Sequence, residues 1–213
     1  MACGNALHKN EDHICSRCQY NLPKTNFYKI DDNPIMRLFW GRVKLKGASS
    51  FYYFNKGGKV QNLLHQLKYS GQRDLGIKLG RMYGGELIQI AEYETIDCII
   101  PVPLHFKKEK KRGYNQSEMI AIGLSIVLKK PVMNDVLLRS KNNETQTNKA
   151  RFKRWENVDN VFEIPNPDLL KGKNILLVDD VITTGATLES CANQLLNISE
   201  TQVTVATIAF ANL

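Results

Sequence analysis

The sequence predicts an α/β domain built on a largely parallel sheet. Three observations carry this. Apolar stretches of strand length alternate with stretches whose apolar residues recur at helical spacing. Most of the strand-like stretches are apolar on both faces, as in sheets covered by helices on each side. Third, "ILLVDDVITTGATLES" (175–190) runs from an apolar strand, through two carboxylates and a threonine–glycine turn, into a helix. Such junctions, at the carboxyl ends of strands, are where open α/β sheets bind ligands.

Taken in order, residues 1 to about 30 stand apart. They hold three of the five cysteines and two of the four histidines and show almost no apolar periodicity, too little for a core of their own. From about residue 34 the composition is globular. "ASSFYYFNKGG" (48–58) reads as a strand closed by a Gly-Gly turn. "KVQNLLHQLKYSG" (59–71) places Val60, Leu63, Leu64 and Leu67 on one helical face, with Gly71 as its stop. "RDLGIKLGRMYGGELIQIAEY" (73–93) continues as a second helix. Its four glycines each cost about 1 kcal/mol inside a helix, so close packing against a neighbour is their expected reason. "TIDCIIPVPL" (95–104) is a short buried strand ending at Pro101 and Pro103. "NQSEMIAIGLSIVLKK" (115–130) is a helix capped by Asn115 or Ser117. Residues 136–158 are polar with a weak helical pattern in their second half and read as a long exposed excursion. A strand (173–181), a helix (187–198) and a last strand (201–210) complete the chain.

At 213 residues the chain is long enough for one core and a small appendage. No apolar run approaches the roughly 20 residues of a membrane span, and the N-terminus lacks the apolar core of a signal peptide. A cytoplasmic location is the expectation, with the cysteines as free thiols or metal ligands rather than disulfides. The net charge of +8 favours anionic partners such as nucleotides, sugar phosphates or nucleic acid.

Adjacent strand residues point to opposite faces. Asp179 and Asp180 can therefore serve one ligand only if the strand ends at them, and it is expected to end there. Gly185 permits a tight turn, and the threonine hydroxyls, loop N–H groups and the start of a helix near Thr187 form a phosphate-type anion site. The carboxylates are acceptors and suit hydroxyl donors. A ribose 5-phosphate offers both features. No GxxxxGK[ST] occurs, and an acidic pair with only 33 residues after it lies too late for a receiver domain.

"ILLVDDVITTGATL" resembles the phosphoribosyl-pyrophosphate (PRPP) signature of type I phosphoribosyltransferases. The wider chain resembles the ComF family of competence proteins through "LKYSGQRDLG" (67–76), "IIPVPLHFKKEKKRGYNQSEMIA" (99–121), "QTNKARFKRWENV" (146–158), the PRPP segment and the cysteine-bearing start. The resemblance implies a type I phosphoribosyltransferase fold over residues 31–213, amidophosphoribosyltransferase-like, behind a zinc-ribbon-like segment over 1–30. It implies that Asp179 and Asp180 hold the ribose hydroxyls and that Thr183, Thr184, Gly185, Ala186 and Thr187 hold the 5-phosphate. The "PVPLH" strand end would then be the pyrophosphate loop, with Lys107, Lys108, Lys110, Lys111 and Arg112 as anion contacts and Arg112 grouped with the two aspartates as catalytic. A solvated basic loop, or one touching nucleic acid, is the alternative for 107–112. Residues 139–158 correspond to a mobile covering loop, with Arg139, Arg151 and Arg154 as phosphate contacts. Mg²⁺ would accompany PRPP and stabilise the departing pyrophosphate.

"CGNALHKNEDHICSRC" supplies Cys3 and a Cys15-x-x-Cys18 knuckle, three ligands of a structural Zn²⁺ site. Either His8 or His13 completes it, or the natural start lies upstream of Met1. Cys98 and Cys191 read as core.

Two functions follow. One is a phosphoribosyltransferase acting on some base or amine in nucleotide metabolism. The other, favoured by the family name, is a PRPP-site protein of natural competence that handles single-stranded DNA beside other competence-machinery proteins, with the 107–112 run, Tyr114, Phe152 and Trp155 as contacts. Whether the chain turns over, and on which acceptor, the sequence leaves open.

Overall fold

The computed structural model describes residues 1–139 and 161–211. From the N-terminus the elements are α1 (Ser16–Asn21), α2 (Pro34–Phe39), β1 (Gly47–Tyr53), α3 (Lys59–Tyr69), α4 (Arg73–Leu87), α5 (Ala91–Glu94) and β2 (Cys98–Pro101). Then come α6 (Phe106–Arg112), α7 (Gln116–Leu128), β3 (Leu138–Arg139), β4 (Phe162–Glu163), β5 (Asn174–Ile182), α8 (Ala186–Leu196) and β6 (Gln202–Phe210). The sheet is four-stranded and parallel throughout, in the order β1-β6-β5-β2. Both faces are covered. Leu176, Val178 and Ala206 pack with α3, α4 and α7, while Ile175, Leu177, Val203 and Val205 pack with α2 and α8.

The glycines of α4 have the reason expected of them, with one exception. Gly76, Gly80 and Gly84 recur every four residues and form a groove that receives α7. A β-carbon on Gly80 would lie 2.2 Å from the Ile120 carbonyl oxygen, and one on Gly123 would lie 2.2 Å from that of Ile77. The two helices touch backbone to backbone, which no side chain permits. Gly85 meets nothing within 4 Å and takes no part.

The helix predicted over 73–93 is shorter than its pattern. It stops at Leu87, because Ile90 turns extended and packs inward; α5 is a separate turn. The basic stretch read as a loop is the helix α6. The His105 ring accepts the Lys107 N–H at 3.3 Å at its start, and Gly113 closes it at φ +79°. The β3–β4 ribbon was not legible in the polar sequence around it. Residues 140–160, with Arg151, Arg154, Phe152 and Trp155, lie outside the described residues.

The N-terminal segment is docked. Ala2, Ile14, Cys18 and Leu22 are buried in the same core as α3 and α4. Asn62 donates to the Ala2 carbonyl at 3.1 Å, Lys78 pairs with Asp12 at 3.1 Å, and Lys24 pairs with Glu86 at 2.5 Å. The apolar surface this segment lacks is borrowed from the main domain.

Candidate functional site

The strand does not end at the aspartates. β5 runs through both to Ile182, which overturns the expectation built on simple alternation. Alternation itself fails there. Val178 packs against the α3/α4/α7 face, and so does Val181, three residues on, although a regular strand would send it to the other side. The pairing registers step from Asp179 to Val181 on β5, from Thr207 to Ala209 on β6, and from Ser50 to Tyr52 on β1. The skipped row (Asp180, Ile208, Phe51) crosses three strands, and Phe51–Tyr52 and Ile208–Ala209 likewise share one face. The sheet is re-phased along this row, much as a bulge re-aims a side chain.

The consequence is that both carboxylates are held from one side. Asp179 Oδ1 accepts the Ser117 hydroxyl at 2.7 Å and the Asp180 N–H at 2.8 Å. Asp180 Oδ2 lies 2.9 Å from Lys68 Nζ. Burial, followed by the neighbouring Asp180 charge, pushes the Asp179 carboxyl up to about 7, against the pull of Ser117, the Asp180 amide and Lys68. Ser117 is free to serve Asp179 because Asn115 is the cap of α7: its Oδ1 accepts the Ser117 N–H at 3.0 Å, and its Nδ2 donates to the Val102 carbonyl at 2.9 Å.

The loop after β5 has the left-handed glycine and helix start expected of it. Gly185 is buried and left-handed at φ +78°, and α8 starts at the next residue. Thr183, Thr184, Ala186 and Thr187 are exposed around it. The first turn of such a helix directs N–H groups without intrahelical acceptors outward, with the positive end of the helix dipole behind them. Support comes from a region the sequence reading passed over. Phe39 ring atoms stand 3.1 Å from where a Gly185 β-carbon would sit. Arg42 donates to the Thr184 carbonyl at 3.1 Å and pairs with Glu189.

The remaining candidates divide. Arg112 is half-buried, bonds Gln116 Oε1 at 2.5 Å and stacks 5.5 Å above the exposed Tyr69 ring. Lys107, Lys108, Lys110 and Lys111 are exposed on α6. Tyr114 is no stacking surface: it is buried, and its hydroxyl donates to the Leu67 carbonyl. Arg139 lies over the Phe162 ring at 5.4 Å and lines a cleft of about 780 Å³ between residues 101–106, the start of α7 and the β3–β4 ribbon. Glu109, Glu118, Asp135 and Glu163 share that cleft, so Arg139 faces carboxylates.

Cys3, Cys15 and Cys18 place their sulfurs within 4.8 Å of one another, with Cys3 and Cys15 3.8 Å apart. Tetrahedral zinc with Zn–S bonds of about 2.3 Å sets sulfurs about 3.8 Å apart, so the three fit that ion. Neither His8 nor His13 joins the cluster. His13 instead sits at φ +59°, its carbonyl accepting from the Met1 ammonium at 2.9 Å.

A parallel sheet wrapped on both faces, with an acidic pair on one strand and a glycine-capped phosphate-type loop directly after it, defines a phosphoribosyltransferase-type domain. Residues 110–212 match the family model described as phosphoribosyl transferase domain. The chain is 36% identical to "Competence protein F" of Haemophilus influenzae over 110 residues, covering 50% of this chain and 48% of that protein. It is 31% identical to "DNA utilization protein YhgH" of Escherichia coli K12 over 137 residues, 63% of this chain and 60% of that one. The match therefore spans only about half to three-fifths of these relatives. "Competence protein ComFC" of Bacillus subtilis is 26% identical over 196 residues, 92% of this chain and 76% of that protein. The chain is a ComF-family protein with a phosphoribosyltransferase-like domain.

Proposed function

We propose that this pocket binds PRPP or a closely related ribose phosphate, and that the protein serves DNA uptake in natural competence. The observation that carries the ligand is the pairing of two carboxylates on one side of β5 with the Gly185-capped start of α8. The carboxylates accept the ribose hydroxyls; the loop takes the 5-phosphate. Asp179 and Asp180 are also the hard oxygen donors Mg²⁺ requires, and they would hold it with the ligand. There the ion would supply charge neutralisation at the pyrophosphate. The chain's own part is to orient the sugar, with Ser117 fixing Asp179, Lys68 pairing with Asp180 until a ligand arrives, and Arg42 and Phe39 fixing the loop.

The competence role is supported by the names of the relatives and by the exposed lysines of α6, which suit a phosphate backbone. Single-stranded DNA and other competence-machinery proteins are the partners this implies, in the cytoplasm. Among the described residues no helix is long and apolar enough to cross a membrane. Calorimetric titration with PRPP plus Mg²⁺, set beside a short single-stranded oligonucleotide over a salt series, tests both halves. Binding of PRPP with release of pyrophosphate on adding a base or amine would instead favour an active phosphoribosyltransferase of nucleotide metabolism. Absence of PRPP binding at millimolar ligand sinks the site reading.

A further inference from the structure

Three consecutive residues in the last turn of α3 reach three different parts of the pocket. The Leu67 carbonyl accepts the Tyr114 hydroxyl and so ties α3 to the turn between α6 and α7. Lys68 places its ammonium 2.9 Å from Asp180. Tyr69 lays its ring beneath Arg112. Arg73 tightens the same clasp, its guanidinium 5.2 Å over the Tyr114 ring and bonded to the Gly113 carbonyl. One helical turn therefore stretches from the carboxylate pair to the Arg112 side of the site.

The Lys68–Asp180 pair occupies an oxygen that a sugar diol needs. Its side chains are only 23% and 10% exposed, so each charge has lost much of its water. When a hydroxyl donates to Asp180, the ammonium must share that carboxylate or find another anion within a shielded space. In a ribose 1-pyrophosphate the pyrophosphate sits on the carbon next to the diol. The incoming ligand thus carries the replacement anion beside the group that displaces the lysine.

We propose that Lys68 is a ligand-binding residue that holds Asp180 in the empty pocket and moves onto the anomeric pyrophosphate when the diol docks. The pocket then selects a sugar bearing both groups over a ribose 5-phosphate that bears only the diol. This assignment rests on the reading of the site as a phosphoribosyl pocket.

The test compares PRPP with ribose 5-phosphate, each with Mg²⁺, by calorimetry on wild type, K68M and K68R, with thermal melts to verify folding. K68M is expected to weaken PRPP by about 10- to 100-fold, the size of one charge-assisted hydrogen bond. Ribose 5-phosphate should bind K68M unchanged or slightly tighter, because its competitor for Asp180 is gone. K68R should keep most of the PRPP affinity. A second measurement needs no variant: saturating ribose 5-phosphate should tighten Mg²⁺-pyrophosphate binding to the wild type, since it releases Lys68. Equal losses on both sugars in K68M, or pyrophosphate binding that ribose 5-phosphate leaves unchanged or weakens, overturns the assignment alone. Wild type that binds neither sugar removes the phosphoribosyl reading and the assignment with it.

Discussion

Replacing Asp179 by asparagine should stabilise the protein while disabling its pocket. The Asp179 carboxyl stands at about 7 rather than 3.8, first because it is buried and second because Asp180 is beside it. Between those values the folded chain holds a proton that the unfolded chain releases. Stability contributed by that proton is present at low pH, declines as pH rises from about 4 towards about 7, and is gone above. A displacement of this size corresponds to roughly 4 kcal/mol as a ceiling. The side chain keeps an intermediate exposure despite that burial, so the expected effect is about 1–3 kcal/mol. Asparagine has the same shape and keeps Oδ1 as acceptor for the Ser117 hydroxyl and the Asp180 N–H. D179N should therefore melt several degrees higher than wild type at pH 8, with the gain vanishing near pH 4. Its affinity for PRPP should fall by about 10- to 100-fold, the loss of a charged acceptor to a sugar hydroxyl. Melting curves at half-unit pH steps and one calorimetric titration measure both. Parallel stability profiles for D179N and wild type across pH 4–8 would refute the reasoning, whatever happened to binding.

Other substitutions probe the supports. G185A forces a left-handed residue to carry a β-carbon 3.1 Å from Phe39; it should cost about 1–2 kcal/mol of stability and weaken ribose 5-phosphate binding by a larger free energy than that. G123A drives a β-carbon to 2.2 Å from the Ile77 carbonyl oxygen and should cost about 1–3 kcal/mol or more, whereas G85A, with open space around it, should gain up to about 1 kcal/mol. Thermal melts of the pair decide whether α4–α7 contact is what the glycines are for. Metal analysis of reduced protein should find about one zinc per chain, and a chelator should lower the melting temperature; metal-free, fully stable protein contradicts the three-cysteine site.

Much of the fold could be read ahead of the structure because strand and helix periods were clean. β1, α3, α7, β5, α8 and β6 fall within a residue or two of their patterns. What was misread involved tertiary forces that leave no local trace. Ile90 ends α4 because the core takes it, in a stretch whose helical pattern runs on. The lysine run is the exception, because the signals that make it a helix, His105 at its start and Gly113 at its end, are local. In the candidate site, the types and order of residues singled out Asp179, Asp180 and the loop, which the fold sets side by side. The sequence could not show Lys68, which comes from a helix more than 100 residues away, or Ser117, which looked like a cap. A backbone re-phasing shared by three strands has no signature in any one of them.

That re-phased row also bears on how the proposed ribose site and the proposed DNA role could coexist. An internal DNA nucleotide has no 2′-hydroxyl, and its 3′-oxygen is esterified, so it offers Asp179 and Asp180 no diol and brings a phosphate that they repel. DNA would therefore gain nothing from the row that aligns the two acids. In the proposed role its contacts would fall to the exposed lysines of α6, the helix whose one carboxylate, Glu109, lines the acidic cleft. Arg112 joins the two surfaces, since it closes α6 and stacks on the residue after Lys68. The acid pair and the basic helix are chemically separate yet adjacent in the fold, so the proposed sugar-phosphate contacts and the proposed DNA contacts need not compete for one surface.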